Sequence, residues 1–186
     1  MNIILASQSP RRKELLELMK LSFTVRVADI DETMDASHPY EEVARVSRLK
    51  AQAAVQSADE LVIAADTIVV CDGQILGKPK TEEQAAQMLS MLSGKKHQVM
   101  TGLTVLQGEK CICCTEVADV YFRALSKAEI DGYIHTKEPM DKAGAYGIQG
   151  GAAVFVERIE GDYYNIMGLP VCRLSMILKE FLEKTP

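Results

Sequence analysis

The feature that most limits the possible folds is the run Leu61-Val62-Ile63-Ala64-Ala65-Asp66-Thr67-Ile68-Val69-Val70, nearly continuous in apolar residues and broken by a carboxylate. Bounded by turn signals, such a run reads as a strand in a packed interior. Desolvating Asp66 there costs several kcal/mol unless a partner compensates. A cap on a turn at the strand end is a poor account of it, because the apolar run continues beyond. Metal coordination or catalysis accounts for it better.

Around this run, strand and helix signals interleave. Asn2 to Ala6 reads as a short strand. Ser9 is placed as an N-cap, with Pro10 at the first position of a helix reaching Lys20. Leu21 to Ala28 alternates like a strand, and the acidic loop Asp29-Ile30-Asp31-Glu32 follows. Pro39 opens a helix to about Ala58. Asp72-Gly73 signals a tight turn that returns Gln74 to Leu76 as a hairpin partner. Thr81 with Gln84, and Ser126 with Glu129, are capping-box patterns for helices to about Leu92 and His135. Strands are expected over His97–Leu106, Lys110–Phe122, Ala153–Ile159 and Tyr163–Met167, and Pro170 starts a last helix ending near Glu183. The pattern predicts an α/β protein with a mixed, strongly twisted sheet, as a single domain over residues 1–186.

Composition removes several alternatives. Apolar residues at 47% and charged residues at 25% exclude disorder, collagen and coiled coil as the main state. A net charge of −5 argues against general nucleic-acid binding but allows a locally basic site for a small anion. No apolar run approaches the roughly 20 residues that span a bilayer, and Ile3-Ile4-Leu5-Ala6 is too short for a signal core. Five cysteines, an odd count, read as reduced thiols in a cytosol. Cys111, Cys113 and Cys114 match no common zinc spacing, and His38, His97 and His135 suggest no triad.

Three segments carry candidate chemistry. The first is the helix start after Ser7 and Ser9, where Arg11, Arg12 and Lys13 occupy a turn that favours acids. Each such cation costs about 0.3–1 kcal/mol unless an anion offsets it. Either a phosphate sits there, or the arginines pair with nearby acids. The second combines Asp66 and Thr67 with Lys78 after the hairpin, Glu32 and Asp31 in the acidic loop, and Lys50 on the second helix. Carboxylates with lysines suit Mg²⁺ on a polyphosphate; for Lys50, a solvated helix face is the plainer reading. The third is Asp141-Lys142-Ala143-Gly144-Ala145-Tyr146-Gly147-Ile148-Gln149-Gly150. Its glycines permit close backbone approach or simply serve turns, and the Gln149 amide has the donor and acceptors to read a base edge.

Together, Leu5-Ala6-Ser7-Gln8-Ser9-Pro10-Arg11-Arg12, Ala64-Ala65-Asp66-Thr67, Gly77-Lys78-Pro79, the Asp141–Gly150 segment and Gly168-Leu169-Pro170 resemble the Maf family of nucleoside triphosphate pyrophosphatases over nearly the whole chain. The resemblance implies a two-lobed, elongated α/β fold with a central cleft, like that of inosine triphosphate pyrophosphatases. It implies cleavage of a nucleoside triphosphate to the monophosphate and pyrophosphate, with Mg²⁺ or Mn²⁺, in a cytoplasmic homodimer. Arg11, Thr67 and Gln149 stand where the subgroup acting on dTTP and UTP has those residues. In this light Asp66 is the expected proton acceptor, with Glu32 and Asp66 at the metal. Ser7, Ser9, Arg12, Lys50 and Lys78 are expected at the phosphates, and Arg11, Thr67 and Gln149 at the base. Two other functions stay open: a nucleotide-binding regulator without turnover, which the resemblance links to septum formation, and a structural α/β module whose basic helix start meets acidic partners. A modified or non-standard nucleotide is the competing substrate.

Overall fold

A computed structural model describes residues 2–182. Its elements follow in order: β1 (Asn2–Leu5), α1 (Pro10–Leu18), β2 (Thr24–Val25), α2 (Pro39–Ala54), β3 (Glu60–Cys71), β4 (Gln74–Leu76), α3 (Glu82–Leu92), β5 (Lys96–Gln107), β6 (Lys110–Phe122), α4 (Lys127–His135), β7 (Val156–Glu160), α5 (Tyr163–Met167) and α6 (Val171–Leu182). Short 3-10 turns cover Glu138–Asp141, Ala143–Ala145 and Gly151–Phe155. The strands hydrogen-bond in the order β2-β1-β3-β5-β6-β7, with β4 on β3. Parallel and antiparallel pairs both occur, so the sheet is mixed as the sequence predicts.

The chain divides into two compact units, and β3, β5 and β6 contribute residues to both. One unit holds the described residues up to Asp66, Thr101–Glu116 and those from Gly168 onward. In it β1 is parallel to β2, pairing Ile4 with Thr24, and to β3, pairing Ile4 with Val62 and Leu5 with Ile63. Helix α2 covers this region with Ala51 and Ala54, which pack with Ile4, Ala6, Val62, Ala64 and Leu106. Helix and strand come very close at Gly102, where a Cβ would lie 2.1 Å from the Val43 carbonyl oxygen, so α2 can seat there only on a glycine. One turn along α2, buried Ser47 shares a 2.7 Å hydrogen bond with Thr104 of β5.

The second unit comprises Thr67–Met100 and Val117–Met167. Here β4 folds back on β3 with Val69 opposite Leu76, and β7 pairs with β6 with Val120 opposite Ile159. Its core gathers Leu89 and Leu92 of α3, Ile130 and Ile134 of α4, and Phe122, Tyr146 and Phe155. His97 is 1% exposed and packs edge-on against Phe122 and Tyr146. Its Nε2 shares a 2.8 Å hydrogen bond with the Tyr146 hydroxyl, while its Nδ1 has no partner among the described residues.

Several boundaries differ from the sequence expectation. Leu21–Ala28 yields only a two-residue strand, Thr24–Val25, followed by Arg26, whose side chain donates to the Ala54 carbonyl and the Glu60 carboxylate. Helix α2 stops at Ala54 rather than Ala58, since Glu60 accepts a hydrogen bond from the Gln56 N–H and draws that amide out of the helix. Gly151–Phe155 is a 3-10 turn before β7, not strand. Tyr163–Met167 is helix, not strand, because Asp162 accepts from the Tyr164 N–H and starts a helical turn. The expected helix end at Glu183 lies outside the described residues. Both capping patterns start helices: Ser126 and Glu129 form the reciprocal box, whereas the Gln84 side chain accepts from Lys80 rather than from Thr81.

Burial holds the His97 imidazole down from 6.5 to about 4, against the weaker opposing pull of Asp119. The unfolded chain therefore takes up the proton first as pH falls, and stability drops between pH 6.5 and pH 4, by about 3 kcal/mol at most from this group. The melting midpoint should decline across that window, and His97→Gln should flatten the decline. An unchanged slope in the variant would remove His97 as its source.

Candidate active site

Helix α1 begins with Pro10 after Ser9, and its first turn contains no acid. The Ser9 side chain caps no amide; instead the Ser9 N–H donates to Ser7 Oγ at 3.2 Å. The helix thus presents its positive end with neither of the usual compensations. Arg12 is buried and turns back over this corner. Its Nη1 donates to Ser7 Oγ at 3.0 Å and its Nε to the Gly168 carbonyl at 2.7 Å, just before α6. Burial works against the Arg12 charge and lowers its pKa, Asp66 and Glu32 act in its favour, and the neighbouring Arg11 acts against it. The basic tip and the buried acid of β3 therefore lie within electrostatic reach of each other.

Asp66 is 8% exposed at the end of the first unit's part of β3. Its partner comes from α2: Lys50 Nζ donates to Asp66 Oδ1 at 2.6 Å and lies 3.0 Å from Glu32 Oε1. Lys50 is therefore no solvated face residue. Its side chain is 15% exposed and its ammonium is shared by two carboxylates from different parts of the chain. Glu32 comes from the acidic loop and is 56% exposed. Asp31, beside it, turns to the Thr33 amide and hydroxyl and takes no part.

The first unit thus brings together Ser7, Arg12, Glu32, Lys50 and Asp66, with Ser9 and Arg11 on the same helix start. Thr67, Lys78 and Gln149 belong to the second unit. Thr67 directly follows Asp66 along β3, and Lys78 is exposed in the loop after β4. Gln149 is exposed within a turn closed by the Gly150 N–H on the Gly147 carbonyl at 3.1 Å. The sequence reading missed the carbonyl of Gly168 as the acceptor for Arg12. The motif Gly168-Leu169-Pro170 was a signal of importance but not of contact, since nothing in one dimension joins it to a helix so far upstream.

Asp66 and Glu32 are hard oxygen donors brought to one ammonium, which fits Mg²⁺ or Mn²⁺. No group of three or more His, Cys, Asp or Glu able to hold a metal occurs among the described residues. An ion here would complete its shell from phosphate oxygens and water, as Mg²⁺ commonly does. All five cysteines are free, and Cys113 is engaged with Thr104 and the Ala44 carbonyl, as expected of ordinary strand thiols.

Comparison with known proteins gives the family and the fold. The family model described as Maf-like protein matches residues 2–181. The chain is 48% identical over 181 residues to a dTTP/UTP pyrophosphatase of Bacillus cereus (strain G9842), covering 96% of this chain and 95% of that protein. It is 51% identical over 180 residues to a dTTP/UTP pyrophosphatase of Bacillus cytotoxicus, covering 96% and 94% respectively. Among solved structures, a HAM1 protein from Coxiella burnetii matches with a TM-score of 0.55 at 17% identity, covering 97% of this chain and 99% of that one, which is a likeness of fold.

The two ion pairs of Lys50 differ in burial, so their removal should differ in cost. Asp66→Ala strands most of a half-buried ammonium, and Lys50→Met strands a buried carboxylate; each should lower unfolding stability by about 2–4 kcal/mol. Glu32→Ala removes a solvated partner and should cost less than about 1 kcal/mol. Urea unfolding of the three variants checks this; equal losses would show that burial does not set the strength of these pairs.

Proposed function

The chain belongs to the Maf-like protein family, and from that we propose that it is a nucleoside triphosphate pyrophosphatase that hydrolyses the α–β phosphoanhydride of dTTP and UTP. The names of the relatives at 48% and 51% identity support this reading. The observation that carries it within the chain is the Asp66–Lys50–Glu32 cluster, at 2.6 and 3.0 Å, in the electrostatic range of the buried Arg12. An acid, a cation shared by two carboxylates and a buried cation at an uncapped helix start are the equipment for hydrolysing a polyphosphate.

In this mechanism Asp66 takes the proton of the attacking water as the bond between the α- and β-phosphates breaks. The helix start and the Ser7–Ser9 turn receive phosphate oxygens. Arg12, Lys50 and Lys78 meet the negative charge that passes to the leaving pyrophosphate. Glu32 and Asp66 would hold Mg²⁺ or Mn²⁺, whose contribution when bound is to neutralise phosphate charge. Arg11, Thr67 and Gln149 select the pyrimidine: a uracil or thymine edge offers acceptor, donor and acceptor, which an amide can match. Family membership also supports a cytoplasmic homodimer. No helix among the described residues is long and apolar enough to cross a membrane.

Asp66→Asn should lower pyrophosphate release from UTP by about a thousandfold, while UTP still raises the melting midpoint of the variant. Near-normal turnover would overturn the role given to Asp66. A panel of nucleoside triphosphates with Mg²⁺ should release pyrophosphate, not orthophosphate, fastest from dTTP and UTP.

A further inference from the structure

The turn that carries Gln149 is held by two side chains for which the preceding mechanism has no use, Tyr133 of α4 and Glu138 of the 3-10 turn after it. All the residues concerned lie in the second unit. At one end of the turn, the Gly147 N–H donates to the Tyr133 phenol oxygen at 3.2 Å. The Tyr133 hydroxyl donates in turn to Glu138 Oε1 at 2.9 Å. At the other end, the Gly151 N–H donates to the second oxygen of the same carboxylate, Oε2, at 3.0 Å. One phenol and one carboxylate thus fasten the segment on both sides of Gln149.

The fit is close. A Cβ on Gly150 would lie 1.9 Å from Glu138 Oε1, so the backbone rests directly on the carboxylate. Tyr133 is itself fixed: it is 5% exposed and packs edge-on against Phe155 with centroids 5.3 Å apart. Burial pushes its phenol above the usual range, so it remains a donor to Glu138 at any working pH. Lys142 closes the base of the segment by donating to the Glu138 carbonyl at 2.7 Å. By contrast, the Gln149 side chain is exposed and makes no hydrogen bond to the described residues. Its amide has no support of its own, and its aim depends on the backbone beneath it.

We infer that Tyr133 and Glu138 are positioning residues for base discrimination: they set the turn Gly147–Gly150 so that the Gln149 amide meets a pyrimidine edge in a single orientation. This rests on the reading of Gln149 as a base-reading residue. A turn held at one end only would let the amide rotate and present its N–H₂ where its C=O belongs. CTP, whose exocyclic amine replaces the uracil O4 acceptor, is the substrate that such an error would admit. The two residues touch neither phosphate nor metal in this scheme, so their loss is expected in selectivity rather than in the chemical step.

The test measures kcat/KM for UTP and for CTP, with hydrogen exchange at the Gly147 and Gly151 amides, in Tyr133→Phe, Glu138→Gln, Gln149→Ala and the double variant Tyr133→Phe/Gln149→Ala. Tyr133→Phe keeps the ring that packs on Phe155. Glu138→Gln keeps the shape but can accept at only one end, which gives a second variant should the first fold poorly. Each single clamp variant should speed exchange of both amides and lower the UTP-to-CTP ratio by about fivefold, the scale of one ordinary hydrogen bond. In the Gln149→Ala background Tyr133→Phe should lower the ratio no further, because there is nothing left to aim. A purely structural role would instead reduce activity on both nucleotides in proportion and leave the ratio alone. If Gln149→Ala lowers the ratio and neither clamp variant does, the inference is overturned while the base-reading role stands. If Gln149→Ala leaves the ratio intact, the base-reading role fails, and the inference falls with it.

Discussion

The rest of the site depends on one ammonium. Lys50 stands at 2.6 Å from Asp66 and 3.0 Å from Glu32, and without it the Asp66 carboxylate would lose its hydrogen-bonded cation in an apolar strand. That pairing makes the composition of β3 tolerable. It also explains why the acidic loop, which has little apolar content to hold it, delivers Glu32 to the same point. The second cation, Arg12, is fixed by a different logic. Its guanidinium is buried and donates to Ser7 and to the Gly168 carbonyl.

The placement of Lys50 in turn depends on how α2 is seated. Gly102 lets the helix backbone reach β5 at Val43, and the Ser47–Thr104 hydrogen bond fixes the next turn. Lys50 follows three residues after Ser47 on the same side of the helix. Packing and chemistry are thus one arrangement: a bulkier residue at position 102 would move the helix, and with it the ammonium. The second unit repeats the theme with different parts. There, a phenol and a carboxylate hold a glycine-rich turn whose exposed Gln149 side chain makes no hydrogen bond to the described residues.

Much of this was legible in the sequence where a local rule operates. Asp66 stood out because a carboxylate interrupts an apolar run. The misplaced cations Arg11, Arg12 and Lys13 were visible because helix starts favour acids. The Ser126–Glu129 box and the Asp72-Gly73 hairpin formed where expected. What escaped was whatever depends on a distant partner. Lys50 read as a solvated residue because its two acids lie 16 residues ahead and 18 behind, on no shared face. Tyr163–Met167 read as a strand from its composition, and a single side-chain bond from Asp162 reverses that. Glu138 carried no signal at all, since a glutamate after a helix looks the same whether it faces water or receives two donors.

The order of segments has a bearing on synthesis. The second unit is complete once Met167 has been made, whereas the first waits for the chain from Gly168 onward. Leu169 and Leu174, both fully buried, and the carbonyl that anchors Arg12 belong to that last stretch. During synthesis the basic helix tip therefore stays without its Gly168 anchor until the segment from Gly168 onward has emerged. Termination within α6 would yield a chain whose second unit is complete and whose first is not.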